Sequence, residues 1–283
     1  MRLAQDIDHA ARQALALELT LAPKPGLVTP CSRGSHEDMD HRHFAASIEA
    51  LAGYFGDCAR LAAAGADLPA LQARGMLAES AMFTATRGIN THKGAIFTLG
   101  LLAAAAGRQH ARGRIEPEHL GNEVADTWSD ELLDAPRSAD THGARARRRL
   151  GLPGAREQAA AGFPVLFGTT LPALREGRRQ LGDDPRALLH ALLATIAVLP
   201  DTNLAHRGGR NGLEWARCAA GDFLAAGNVF APQYQRPLET LCAAFEKRRL
   251  SPGGSADLLA AALFVEALPL ATTARCADTV LAT

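Results

Sequence analysis

The chain has 283 residues, of which 47% are hydrophobic and 5% aromatic, and its 30 Lys and Arg residues balance 30 Asp and Glu residues. A chain of this length can bury a substantial core, and its neutral balance gives no indication of a nucleic acid or a membrane surface as partner. The five cysteines are scattered without a C-x-x-C pair, which favours reduced thiols over a disulfide framework.

The N-terminus is interrupted by Arg2, Asp6 and Asp8 and lacks the apolar run of a signal peptide. The longest charge-free apolar run, Gly94 to Gly107, falls well short of the ~20 residues needed to cross a bilayer. We therefore expect a cytoplasmic protein with neither a membrane nor a nucleic acid as partner.

Helical periodicity runs through nearly the whole chain, and no alternation of β-branched residues predicts a sheet. Helices are predicted over 3–22, 35–64, 69–86, 93–106, 117–133, 154–161, 168–180, 185–199, 211–226, 234–249 and 256–268. Asp184 before Pro185 has the pattern of an N-cap followed by proline at the first helical position. Neither a repeat nor a low-complexity linker divides the sequence, so we predict one all-α, multi-helix domain over residues 1–283.

Glu18 lies within the apolar face of the first predicted helix. A carboxylate that faces the interior needs a partner or a metal, which makes Glu18 a candidate site residue. The alternative is a side chain near the helix end that reaches past the core to water.

The segment from Gly34 to His43 is dense in possible metal ligands. His36 and His41 are five residues apart, whereas two ligands on one helix face need a spacing of four. Mg²⁺ held by Asp38 or Asp40 with substrate phosphates is a more plausible site. The structural alternative is a capping box formed by Ser35 with Asp38, and spacing alone favours it.

Four polar residues stand at the start of the apolar helix predicted over 93–106, namely Asn90, Thr91, His92 and Lys93. A helix that only filled a core would not need them. An ammonium in a first turn opposes the helix dipole, so Lys93 is better explained by anion binding, with His92 as a second donor or an acid/base group. The structural alternative makes Thr91 the N-cap, Lys93 a solvated side chain and His92 a satisfied core histidine.

Two further loops have a similar composition: Pro23–Gly26, which carries Lys24, and Asp201–Arg210. In the second loop, Asp201 and Asn203 are candidate metal or hydroxyl ligands, and the Arg207 guanidinium is a candidate for paired hydrogen bonds to a phosphate. The alternative is a connection between two helices whose glycines, Gly208 and Gly209, supply positive φ.

The last loop of this kind runs from Ser251 to Asp257. Gly253 and Gly254 would let the backbone approach a phosphate, or else Ser255 simply caps the last helix with Asp257 in its first turn.

A basic run precedes this loop in the chain, formed by Arg145, Arg147, Arg148, Arg149 and Arg156. Such a run is either a solvated helix face or a rim that attracts a polyanion. Together these loops predict a Mg²⁺-bound polyphosphate substrate.

Six blocks in order along the chain resemble the triphosphoribosyl-dephospho-CoA synthase family. They comprise Pro23–Val28, Gly34–Met39, Gly88–Gly94, Gly154–Pro164, Asp201–Gly209 and Ser251–Asp257. The family commonly has an acid after the Leu-Val pair, where this chain has Thr29, so a role for an acid at that point is in doubt.

The resemblance implies an all-helical enzyme that joins ATP to 3′-dephospho-CoA, releases adenine and gives 2′-(5″-triphosphoribosyl)-3′-dephospho-CoA. That product is the precursor of the prosthetic group on the acyl carrier subunit of malonate decarboxylase or citrate lyase, and we favour the former. Transient contact with the carrier-protein machinery is also expected.

For this chemistry we expect a general base among Glu18, His92 and Asp38, and a magnesium ion held by Asp38, Asp201 or Asp257. Substrate binding is expected from Lys24, His36, Asn90, Thr91, Lys93, Arg156, Asn203, Arg207, Gly208, Gly209, Gly253, Gly254 and Ser255. The alternatives are another helical, Mg²⁺-dependent nucleotide hydrolase and a non-catalytic adaptor for the carrier subunit.

Overall fold

A computed structural model describes the backbone of residues 2–134 and 150–280, with side chains described through Leu268 apart from Asn228. The all-α prediction is confirmed: these residues form helices and contain no strand. The α-helices are α1 (Arg2–Thr20), α2 (His41–Ala50), α3 (Tyr54–Ala63), α4 (Leu68–Ala85), α5 (Lys93–Ala111), α6 (Leu120–Asp134), α7 (Ala155–Ala160), α8 (Leu171–Leu181), α9 (Pro185–Val198), α10 (Thr202–Ala225), α11 (Gln235–Lys247) and α12 (Gly253–Val280).

Short helical turns complete the chain. A π-helical turn at Leu166–Thr170 runs directly into α8, and 3₁₀ turns lie at Pro117–His119 and Asn228–Phe230. Asp184 caps α9 as predicted, since its Oδ1 accepts the N–H of Arg186 at 2.8 Å.

The core is built around α5 and α12, which pack against each other. Residues 101–106 of α5 and 258–265 of α12 are buried on every side, which is why neither helix has a marked polar face. The small residues of α5 allow close packing: a Cβ on Gly107 would overlap the carbonyl oxygen of Ala59 in α3. Both central helices begin at the same cavity, so the core positions the site.

The single helix predicted over 35–64 is wrong, because the chain forms α2 and α3 with a break between them. Asp40 caps α2: its Oδ1 accepts the N–H of Arg42 at 3.0 Å, and its own N–H donates to His43 Nδ1 at 3.2 Å. Gly53 enters α3 with a φ of 85°. The predicted cap at Ser35 is also wrong, since its Oγ donates to the carbonyl of Leu250 at 2.6 Å.

The predicted start of the helix over 211–226 is wrong by nine residues, or about two and a half turns. The helix begins at Thr202, and Asp201 caps it rather than ending the preceding helix. Gly209 introduces a kink, with φ 63° and ψ −163°. The glycines that suggested a loop therefore lie inside a bent helix.

Within the described residues, no single helix is both long and apolar enough to span a membrane. One pair passes the same test of length and composition together, α9 with α10, and it is bent by 55°.

Candidate active site

A cavity of about 2020 Å³ lies where α5, α10 and α12 begin. Its walls come from α1, α3, α4, α7 and the loop before α2, in addition to those three helices. The structure brings most of the predicted site residues to this one cavity, namely Glu18, His36, Asp38, Asn90, Thr91, His92, Lys93, Arg156, Asn203, Arg207, Gly253, Gly254 and Asp257.

Three helix N-termini converge on the cavity. Lys93 begins α5, Thr202 begins α10 and Gly253 begins α12, and all three residues lie on the cavity wall. Each N-terminus presents the positive end of a helix dipole, although Asn90, Asp257 and Asp201 already accept several of the first-turn N–H groups. Their convergence makes this end of the cavity suitable for an anion with several charged groups.

Glu18 faces the cavity as an inward carboxylate, and its partner is Lys24. The Lys24 ammonium donates to Glu18 Oε1 and to the Glu18 carbonyl oxygen, each at 2.6 Å. The two side chains are only 8% and 1% exposed. Lys24 therefore lies behind the cavity wall rather than on it, and the prediction that it binds substrate directly does not match its position.

Asp257 occupies the first turn of α12 and reaches the N-terminus of α5. A Cβ on Gly94 would overlap its Oδ2, so the absence of a side chain there admits the carboxylate. The N–H of Ala95 hydrogen-bonds to it, while burial, Asp201 and Glu18 raise the pKa of Asp257 well above its usual range. Three carboxyl groups close together with only one ammonium therefore favour a proton or a bound cation at Asp257.

We expect Gly94→Ala to lower kcat by about 10²-fold, because the new methyl group must displace the Asp257 carboxylate and small misplacements carry costs of that size. The fold should persist, because alanine favours a helix over glycine by about 1 kcal/mol. Steady-state kinetics and thermal unfolding would measure the two effects.

Gly221→Ala is the matched control for this substitution, since a Cβ at Gly221 in α10 meets nothing within 4 Å. Equal kinetic effects from the two substitutions would show that Gly94 has no special relation to Asp257.

Asp201 holds the starts of α10 and α12 together. Its Oδ1 accepts the N–H of Asn203 at 2.9 Å, and its Oδ2 accepts the N–H and the hydroxyl of Ser255 at 2.9 and 3.0 Å. The residue is 1% exposed, and burial raises its pKa despite these bonds. Asp201 and Ser255 lie behind the wall and therefore do not match the predicted direct roles in metal and substrate binding.

The four glycines predicted to bind substrate have packing reasons for their small size. Gly208 approaches the side chain of Leu250, and Gly209 forms the kink of α10; neither lies on the cavity wall. Gly253 and Gly254 do line the cavity, where they make room for Asn203 and Asp201 respectively. This contact between helices accounts for the Gly-Gly pair.

His92 is the N-cap residue of α5 and is 3% exposed. Its Nδ1 lies 2.7 Å from Ser47 Oγ, and its ring packs edge-on against Phe44 with centroids 5.0 Å apart. Nε2 is buried without a hydrogen-bond partner, as is Thr91 Oγ1. Burial, together with the Lys24 charge, lowers the pKa of His92 to about 3, so the imidazole is neutral at pH 7.

The two unpartnered atoms, His92 Nε2 and Thr91 Oγ1, are the groups in this loop that a bound hydroxyl or amide would satisfy. A purely structural histidine would have both ring nitrogens hydrogen-bonded, whereas only Nδ1 of His92 has a partner here. Sequence reasoning missed Ser47, because a serine inside a helix carries no signal that it faces a histidine 45 residues away.

Lys93 and Asn90 lie at the mouth of the α5 N-terminus. Asn90 Oδ1 accepts the N–H of Lys93 at 3.2 Å, so the side chain that caps this turn is Asn90 rather than Thr91. The Lys93 ammonium pairs with Glu79 Oε2 at 2.7 Å, and its side chain is 40% exposed. A phosphate would compete with Glu79 for this ammonium.

His36 and Arg207 form a latch between the loop before α2 and α10. Arg207 Nη2 donates to His36 Nδ1 at 2.9 Å, so Nε2 carries the proton and donates to Ser251 Oγ at 2.9 Å. Arg207 Nη1 donates to the carbonyls of Ser35 and Arg249 at 3.0 and 3.2 Å. Both ring nitrogens of His36 are thereby engaged, which differs from its predicted role in contacting substrate.

Because of this latch, we expect the folded protein to lose stability in acid. Burial and Arg207 lower the pKa of His36 from 6.5 to about 4, so the unfolded chain binds this proton more readily than the folded one. Neutral His36 contributes about 2–3 kcal/mol to the free energy of unfolding. This contribution is complete above pH 6.5 and is lost as pH falls towards 4. Urea unfolding of the wild type and of His36→Gln across this range would measure it.

The control for this prediction lies within the same series. His92 remains in His36→Gln, so its contribution to acid sensitivity is common to both proteins. If the two stability curves stay parallel between pH 6.5 and 4, the latch does not titrate as described.

Asp38, Asp201 and Asp257 do not form a ready three-carboxylate metal site. Among the described residues, no three His, Cys, Asp or Glu side chains are grouped closely enough to hold an ion. The Asp38 side chain is 65% exposed, and its Oδ1 lies 3.9 Å from His36 Nδ1. The Asp201 carboxylate accepts its hydrogen bonds from the first turns of α10 and α12. Mg²⁺ bound mainly by substrate phosphates needs only one or two carboxylates, and Asp257 is the one best suited to it.

The basic residues Arg145, Arg147, Arg148 and Arg149 lie outside the described residues. Arg156, from the start of α7, lines the cavity.

Sequence reasoning also missed the apolar half of the cavity. Its walls are a stripe along α4 and a stripe along α5, closed by α3. Because α4 is apolar on nearly every side, its sequence does not reveal which face lines a cavity.

Comparison with known proteins gives a consistent result. The model of the ATP:dephospho-CoA triphosphoribosyl transferase family matches residues 4–275. A probable 2-(5″-triphosphoribosyl)-3′-dephosphocoenzyme-A synthase of Acinetobacter calcoaceticus is 39% identical over 264 residues, covering 93% of this chain and 90% of that protein. No solved structure matches the chain significantly.

Two further relatives agree with the first. The 2-(5″-triphosphoribosyl)-3′-dephosphocoenzyme-A synthase of Pectobacterium atrosepticum is 41% identical over 265 residues, covering 90% of this chain and 86% of that protein. A probable enzyme of the same name from Vibrio cholerae is 38% identical over 267 residues, with coverages of 90% and 85%.

Proposed function

We infer the function of this chain from its family: it belongs to the ATP:dephospho-CoA triphosphoribosyl transferases, whose model matches residues 4–275. We propose that it transfers the triphosphoribosyl group of ATP to the 2′-hydroxyl of 3′-dephospho-CoA and releases adenine. In this reaction the bond between ribose C1 and adenine breaks and a new bond from C1 to the 2′-oxygen forms. The 2′-hydroxyl gives up one proton, and the departing adenine gains one.

One observation carries this proposal: three helix N-termini and two inward carboxylates, Glu18 and Asp257, meet in one cavity of about 2020 Å³. Pockets for a single drug-sized ligand measure about 300–1,000 Å³, so there is space for two nucleotides side by side. The triphosphate is not consumed, and it needs fixed positive groups rather than a nucleophile to hold it.

The triphosphate would be bound near the N-termini of α5, α10 and α12 by Lys93 and Arg156. Arg207 contributes charge at the rim while its η-nitrogens hold the latch with His36. The helix dipoles favour the phosphates at this end of the cavity, and the leaving adenine remains attached to C1 until the sugar is positioned.

We propose Glu18 as the group that accepts the proton of the 2′-hydroxyl. Its carboxylate lines the cavity and is oriented by Lys24. His92 stays neutral, so we assign it a hydrogen bond through Nε2 to a substrate hydroxyl rather than proton uptake. Asp38 is too exposed at the rim for the base role, as its side chain is 65% exposed.

Magnesium is proposed as the ion that accompanies ATP. The residues fit such an ion, because a cation that Asp257 shares with the phosphates would take the place of the proton that its neighbours Asp201 and Glu18 favour there. When bound, Mg²⁺ would neutralise charge on the triphosphate and help to hold it in place.

The deciding experiment mixes the protein with ATP, Mg²⁺ and dephospho-CoA and follows free adenine and the mass of the CoA product. Transfer requires that adenine appears only when dephospho-CoA is present and in equal amount to the heavier product. Release of adenine or phosphate from ATP alone would favour the hydrolase alternative. A carrier adaptor would give neither product.

We also propose that the product serves as the prosthetic-group precursor for the acyl carrier subunit of malonate decarboxylase, with citrate lyase as the alternative. Cytoplasmic location is proposed as well, supported by Cys31, Cys58, Cys218 and Cys242, which are free thiols. Incubating the product with each apo-carrier and its transfer enzyme would distinguish the two pathways.

A further inference from the structure

One half of the cavity is not used by the phosphate-binding and acidic groups. We name it the apolar slot and define it by Cys58 of α3, Leu68, Leu71 and Gly75 of α4, and Gly100 and Leu101 of α5. The cavity-lining residues of α4 recur every three or four positions, so they form one face of that helix. The slot begins at Lys93 and extends along α5 to Leu101, a distance of about 12 Å.

Two glycines lie beside Tyr54 at the slot floor. The Tyr54 hydroxyl donates to the carbonyl of Ile96 at 3.1 Å, which fixes the ring there. A Cβ on Gly100 would overlap this hydroxyl, so Gly100 makes room for Tyr54, whereas a Cβ on Gly75 would lie 3.5 Å from it. A larger residue at Gly75 would therefore enter the slot next to Tyr54.

The slot suits an uncharged ligand with a few hydrogen-bonding groups. Beyond the ion pair of Lys93 with Glu79 at its mouth, none of the described residues that line it carries a charge. Gln72 and the Tyr54 hydroxyl oxygen supply neutral hydrogen-bonding atoms. Burial raises the pKa of the Cys58 thiol to about 12, so this group also stays uncharged.

We propose that the apolar slot binds the pantetheine arm of dephospho-CoA, an inference that rests on the proposed function. Dephospho-CoA is a nucleoside diphosphate extended by a long, uncharged arm with methyl, amide and thiol groups. Its reacting 2′-hydroxyl is at the nucleoside end and must reach Glu18. The arm must then leave the acidic centre, and the slot leads away from it past Lys93.

The competing occupant is the adenine of ATP. A purine ring is flat and much shorter than the slot, so it would leave the far end at Leu101 unfilled. A flexible chain of amides and methylenes can follow a 12 Å channel between two helices, and its burial removes apolar surface from water along the whole length.

The test is Gly75→Leu, with Gly75→Ala and Ala73→Leu beside it. Leucine at position 75 would occupy the slot, whereas Ala73 is exposed on the outer side of the same helix and does not line the cavity. Both replacements of Gly75 favour a helix, and circular dichroism would verify the fold. Calorimetric binding of dephospho-CoA without ATP gives a readout independent of turnover.

We expect Gly75→Leu to weaken dephospho-CoA binding and to raise its KM by about tenfold or more, with the KM for ATP within about twofold of wild type. Gly75→Ala should have a smaller effect, and Ala73→Leu none. Wild-type affinity for dephospho-CoA in Gly75→Leu, or a raised KM for ATP alone, would overturn the proposal.

A different result would contradict the proposed function, namely that the wild-type protein forms no triphosphoribosyl product. In that case dephospho-CoA binding that is still weakened in Gly75→Leu would support the slot assignment. Binding that is unchanged would overturn it.

Discussion

Lys24→Met is expected to lower the free energy of unfolding by about 3–5 kcal/mol, because it leaves the buried carboxylate of Glu18 without its counter-charge. The pair is almost fully buried, so solvent offers little compensation. Urea unfolding monitored by circular dichroism at pH 7 would measure the change.

The double variant Glu18→Gln with Lys24→Met is the control, since it removes both charges and should recover most of the lost stability. It should also remain nearly inactive, because the proposed base is missing. A direct role for Lys24 in binding triphosphate would appear instead as a raised KM for ATP in Lys24→Met, with stability unchanged. That result would contradict the account of Lys24 as a buried partner.

Asp257→Asn is expected to lower kcat/KM for ATP by about 10²-fold, a size typical of a misplaced substrate, because Asp257 would help to hold the magnesium ion of ATP. Asparagine keeps the volume and can still accept the N–H of Ala95, so the fold should be retained. Initial rates at increasing Mg²⁺ would show a higher concentration needed for half-maximal activity.

Asp38→Asn is the matched control, because it makes the same chemical change at the exposed rim of the cavity. We expect its rate to stay within a few-fold of wild type. Equal losses in the two variants would indicate that the magnesium ion binds between them, whereas full activity in Asp257→Asn would remove Asp257 from the site.

The sequence predicts the helical class and the family, because these depend on periodicity and on short motifs, and most of the site residues that it predicts line the cavity. It also places Glu18 on the apolar face of α1, since helical spacing defines a face, but it leaves open whether the side chain reaches past the core to water. It does not identify Lys24 as the partner, because that contact depends on how the chain turns after α1. The latch of His36 with Arg207 likewise joins residues far apart in the chain.

Glycines were the least predictable residues. Gly209 suggested a loop but lies within a kinked helix, and Gly94, which carries no signal of its own in the sequence, makes room for a carboxylate. In each case the same sequence pattern fits two structures, and the packing of another helix decides between them. The apolar slot could not be predicted for a related reason: α4 carries apolar residues on several sides, and only its neighbours determine which side remains uncovered.

The shared carboxylate of Asp201 has a consequence for how the enzyme meets its substrate. Its Oδ1 secures the first turn of α10 and its Oδ2 the first turn of α12, so fraying of either turn would loosen the other. The two helix starts beside the cavity are thus held in place in the free protein, and a substrate need not supply binding energy to order them.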